Sequence, residues 1–88
     1  MRVTIKKVRD QAYAQVVADV LVDDKWRQRC LASFGRLSPE SHAQAVVAAV
    51  VLQRLDEEPK GPLRHALEAE VVRVCGPDAV NALRRLRA

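Results

Sequence analysis

Eighty-eight residues, 49% apolar and 30% charged, make one folded domain and exclude a disordered chain. Three glycines and four prolines are few for a chain rich in turns, which points to long helices with short connections rather than to a sandwich or barrel. The formal charge of +4 gathers at the ends. Arg2, Lys6, Lys7 and Arg9 open the chain, Arg84, Arg85 and Arg87 close it, and the body between is slightly acidic. Such a distribution suits an anionic partner.

Met1 to Arg9 fits two patterns. Val3 and Ile5 alternate with Arg2, Thr4 and Lys6 as in a strand, while Ile5, Val8, Ala12 and Val16 also share one helical face. Lys6, Lys7 and Arg9 are unfavourable in the first turns of a helix. Residues 1–9 are therefore read as an extended basic arm, with Asp10 capping a first helix. Tyr13, Val17 and Leu21, with Val16 and Val20, give that helix an apolar face up to Val22. Asp23-Asp24 then marks a bend or a new helix start. Trp26, Cys30 and Phe34 follow at four-residue spacing with Leu31 beside them, and Gly35 ends the segment.

Ser38-Pro39-Glu40 is the clearest local signal: a capping serine, a proline suited to the first helical position, and an acid that complements the helix dipole. The helix behind it runs over about 38–56. Its middle, Ala45 to Leu52, is apolar on every side, so it should be buried on every side. Asp56 to Pro62 is a linker. Leu63, Leu67, Val71 and Val74 mark another long helix. Gly76-Pro77-Asp78 is a stop and restart, and Val80, Leu83 and Leu86 seam a last short helix. The expected fold is all-α: four to five helices around a central apolar helix, in a single domain over 1–88 with residues 1–9 as an arm.

Chemistry has little to work with. Cys30, His42, His65 and Cys75 contain no close ligand pair, which argues against zinc, and the two cysteines read instead as buried, reduced thiols acting as small apolar residues. The glycines are scattered, so there is no phosphate loop. An active site would need His42 or His65 gathered with carboxylates in a pocket. No cofactor, metal or small-molecule substrate is implied, and no enzyme is expected. The longest apolar run, Ala45 to Leu52, is far shorter than the roughly 20 residues that span a bilayer, and the basic start lacks a signal-peptide core. A cytoplasmic protein without membrane contact is the expectation.

Two functions remain. The first is a non-enzymatic helical interaction protein that docks on a protein partner as regulator, inhibitor or subunit, with Asp56, Glu57 and Glu58 as an acidic docking patch. The second is a dimeric DNA-binding transcriptional regulator. Its basic contacts would come from Arg2, Thr4, Lys6, Lys7 and Arg9, with Arg84, Arg85 and Arg87 as further anion contacts. A short alternating strand followed by two helices resembles the ribbon-helix-helix repressors over the first third of the chain. In that arrangement two strands of a dimer pair and place Arg2, Thr4 and Lys6 in the major groove. Asp23-Asp24 stands where the family has a glycine-containing turn. A homodimer would also help to cover the central helix.

Overall fold

A computed structural model describes residues 1–86. Three strands come first, β1 (Arg2–Val8), β2 (Gln11–Val22) and β3 (Lys25–Arg36), followed by three helices, α1 (Pro39–Glu57), α2 (Pro62–Cys75) and α3 (Pro77–Leu86). The strands form one antiparallel meander in the order β1-β2-β3. The all-α bundle expected from the sequence is thus corrected to a mixed α/β fold. The first and second expected helices are β2 and β3.

The reason lies in two turns and two bulges. Val8 pairs with Gln11 and Val22 with Lys25, so two residues close each hairpin. Arg9, Asp23 and Asp24 have φ of 57°, 51° and 63°. Asp tolerates this left-handed region, and two successive positive-φ residues suit the right-handed twist of a tight hairpin. The meander therefore needs no glycine in its turns. Asp23-Asp24, read from sequence as a helix start, is a hairpin turn. β-branched Val16, Val17, Val20 and Val22 favour the pleated chain of β2.

The alternation that would betray β3 is broken by register shifts between Tyr13 and Gln15 and between Val16 and Val17. At each shift β3 carries one extra residue, as in a β-bulge. Trp26, Cys30 and Phe34, evenly spaced as on a helix, consequently divide between two faces of the sheet. Phe34 packs against the core, whereas Trp26 is 72% exposed.

The helices lie on one face. α1 packs against all three strands and α2, α3 packs against β3, and α2 rests on α1 and α3. The core joins Ala14, Val16 and Ala18 of β2 and Leu31 of β3 to Ala45, Ala48, Leu52 and Leu55 of α1, Val71 of α2, and Val80 and Leu83 of α3. α1 begins as the sequence predicts. The Ser38 hydroxyl accepts from the Ser41 amide at 3.0 Å, and the Ser38 amide donates to Ser41 Oγ at 2.8 Å. Ser41 Oγ also donates to the Arg36 carbonyl at 2.8 Å. That bond fastens the start of α1 to the end of β3. α1 is not buried on every side, however: Val46, Val47 and Val50 are exposed.

Leu52 is wholly buried at the centre of this layer. Leu52→Ala is expected to lower unfolding free energy by about 2–5 kcal/mol in urea titration. Asp24→Gly removes the Cβ penalty at positive φ and should raise stability by roughly 0.5 kcal/mol in the same measurement.

Candidate nucleic-acid interface

Antiparallel partners share a face, so register assigns the side of the sheet that the helices leave uncovered. Arg2, Thr4 and Lys6 of β1 pair with Val17, Gln15 and Tyr13 of β2. Across β2, Tyr13, Gln15, Val17, Asp19 and Leu21 pair with Arg36, Ser33, Cys30, Gln28 and Trp26 of β3. The open face is therefore mostly polar, with Leu21 and Trp26 together at the β2–β3 hairpin end. Val17, alone among its inner residues, is fully buried, flanked in register by Arg2 and Cys30.

Arg2 crosses this face. Its Nε donates to Asp19 Oδ2 and its Nη2 to Asp19 Oδ1, both at 3.3 Å, and Nη2 also reaches Gln28 Oε1 at 3.4 Å. The three side chains come from three strands and tie them together. Beside them, Thr4, Lys6, Gln15, Gln28 and Cys30 line a shallow depression. Tyr13 donates its hydroxyl to Gln11 Oε1 at 2.7 Å.

Charge divides the molecule. Residues 1–37 hold eight Lys or Arg against four Asp, whereas the remaining residues hold seven of each sign. Four cations of the helical half are paired within it: Arg54 with Glu58, Arg73 with Glu70, and Arg64 and Arg84 both with Glu68. The hydrogen bond from Arg73 holds the Glu70 carboxyl below its ordinary range. In the sheet half Arg2–Asp19 is the one ion pair among the described residues. Lys6, Lys7, Arg9, Lys25, Arg27, Arg29 and Arg36 keep free charges.

The basic residues singled out from sequence fall in different places. Arg2, Thr4 and Lys6 reach the open face together. Lys7 points to the helix side, where its partner is Ala12, and Arg9 is in the first turn. Arg84 is bound to Glu68 at 2.8 Å. Arg85 shares a cleft with Arg29 beneath the β2–β3 hairpin. Arg87 lies outside the described residues. Sequence reading missed Gln15, Gln28, Arg36 and Trp26, because their common face exists only once the hairpins and bulges set the register.

The acidic trio divides, with Asp56 and Glu58 lining one cleft and Glu57 exposed beside another. Glu58 holds Arg54, and Glu57 accepts from Gln53 at 2.9 Å. Asp56 and Glu58 line a cleft with His65, Arg64, Glu68 and Arg84. A histidine is thus gathered with carboxylates, yet Glu58 and Glu68 are committed to arginines. Among the described residues no cluster of His, Cys, Asp or Glu is placed to hold a metal ion. No helix there is long and apolar enough to cross a membrane.

Compared with known protein families, characterised proteins and solved structures, the chain matches none of them.

The two thiols differ. Contrary to the expectation of two buried thiols, Cys30 is exposed on the open face, whereas Cys75 is half-buried and burial pushes its pKa up. A raised pKa leaves less thiolate at mildly alkaline pH. A disulfide reagent at pH 8 is expected to modify Cys30 first, and Cys30→Ser should remove the fast phase.

Proposed function

We propose that this chain is a duplex-DNA-binding module that docks the groove on the open face of its sheet. The observation that carries the reading is the placement of uncompensated positive charge on the sheet half, next to a face of side chains able to hydrogen-bond base edges. Two neighbouring strands about 4.8 Å apart form a ribbon that a major groove of about 12 Å admits. Lys6 and Arg36 suit guanine acceptors or phosphates, and Gln15 and Gln28 suit adenine. Arg2, held by Asp19 and Gln28, keeps the face ordered. Lys25, Arg27 and Arg29 pair with Val22, Val20 and Ala18 and so project from the other side of the sheet, where they add to the long-range positive field rather than to the contact.

A duplex is favoured over a single strand because the face offers few aromatic platforms for stacked bases. The ribbon needs no second copy, since β1 pairs with β2 of its own chain. That pairing, and the two further strands before the first helix, separate this reading from the ribbon-helix-helix arrangement, in which the strand is followed directly by helices.

Trp26, the one tryptophan, is exposed at the edge of this face and reports binding by fluorescence. Duplex binding should weaken steeply as salt rises, through counterion release. Lys6→Glu and Arg36→Glu should each cost roughly tenfold in affinity and lower the salt slope by about one or more. Lys60→Glu, in the loop between α1 and α2, should leave affinity nearly unchanged. Binding that ignores Lys6 and Arg36 but follows Lys60 would place the contact elsewhere.

A further inference from the structure

α1 has a second face that nothing in the described chain covers. Ser41, Ala45, Ala48, Leu52 and Leu55 are turned to the core. On the other side Glu40, Ala43, Val47, Val50, Arg54 and Glu57 follow one another at three- and four-residue steps, and all are exposed. That spacing is the seam of paired helices. Val50 is 65% exposed and Val47 52%, with Val46 beside them. Exposed valines in one cluster form an apolar patch of the kind that marks an interaction surface.

We propose that this seam is covered by α1 of a second copy, packed antiparallel across a two-fold axis. The distribution of charge along the seam selects this occupant. Glu40 lies near one end and Arg54 near the other, with alanine and valines between. An antiparallel pair centred between Val47 and Val50 lays Val47 of each copy against Val50 of the other. It also brings Arg54 within one turn of Glu40 of the second copy, at both ends of the seam. A parallel pair would set Glu40 against Glu40 and Arg54 against Arg54, which costs energy at both ends. A two-fold contact requires one patch to complement itself, and this seam does.

Two details fit. Ala43 stands opposite Arg54 of the other copy and leaves room for its aliphatic stem. Arg54 already holds Glu58 within its own chain, but its side chain is half exposed, and a guanidinium has five donors. It can bridge to a second carboxylate. Glu57 faces Glu40 of the second copy in this register, with Arg54 between them to offset the repulsion.

Light scattering over a concentration series tests the pairing on the whole chain and four variants, with circular dichroism to establish that each is folded. The wild-type chain is expected to pass from monomer to dimer. Val50→Asp would bury two charges in the contact and should raise the dimer Kd roughly a hundredfold. Val50→Ser, milder for the helix, should shift it in the same direction. Arg54→Glu should weaken the dimer by roughly tenfold, and adding Glu40→Arg, which sets an arginine against Glu57 and within one turn of position 54 of the other copy, should bring Kd back near the starting value. A chain that stays monomeric at every concentration overturns the proposal, as does a dimer indifferent to Val50→Asp. Failure of the double variant to recover what Arg54→Glu loses rejects antiparallel self-pairing and leaves the face to a different occupant.

Discussion

α1 lies across the sheet on small side chains. Ala45 and Ala48 of the helix share the core with Ala14 and Ala18 of β2, so helix and sheet approach closely and the larger Val16, Leu52 and Leu55 fill the space around them. This contact decides the rest. Once α1 occupies one side of the meander, α3 can pack only beside it on β3, and α2 must close the layer from above. The other side of the sheet is left to solvent. The Ser41 hydroxyl bonded to the Arg36 carbonyl sets the direction of α1 at its first turn, before any of the packing residues is reached.

The same arrangement separates charge by layer. Helix cations meet helix acids one turn away, as Arg54 meets Glu58 and Arg64 meets Glu68. In a strand the residues one and two positions away offer no comparable partner on the same face, and the four acids of the sheet half include three in hairpin turns, Asp10, Asp23 and Asp24. Only Asp19 is placed inside the sheet, and it takes Arg2. The net positive charge of the sheet half thus follows from topology as much as from composition.

The helical half was legible in the sequence and the sheet half was not. Ser38-Pro39, Gly61-Pro62 and Gly76-Pro77 bracket α1, α2 and α3 because the signals that start and stop helices are local. β1 was legible too, since Arg2, Thr4 and Lys6 alternate with Val3 and Ile5 without interruption. β2 and β3 were hidden for a physical reason. β2 is apolar on both faces, because Tyr13, Val17 and Leu21 on the open side add a four-residue spacing to the inner alternation, and in β3 the bulges opposite Tyr13/Gln15 and Val16/Val17 each shift the two-residue period by one. Asp-Asp, unlike Asn-Gly, is not a strong hairpin signal. Of the candidate site, the β1 residues could be read directly, whereas their neighbours across the sheet depend on pairings that no local pattern encodes.

The bulges have a consequence for how the gene can change. β3 is pinned at both ends, by the two-residue turn at Asp23-Asp24 and by the Ser41 bond at Arg36. A one-residue deletion at a bulge only removes the extra residue and can restore plain pairing. A deletion between Lys25 and Cys30 has no extra residue of its own to give up. It can close only by drawing on the bulge, which turns over the residues between the cut and the bulge and sends Cys30 inward and Leu31 outward. Length is normally least constrained at the surface of a protein and in its loops. Here the regular, solvated stretch of β3 should be less able to lose a residue than the bulges beside it, while remaining free to exchange one exposed side chain for another.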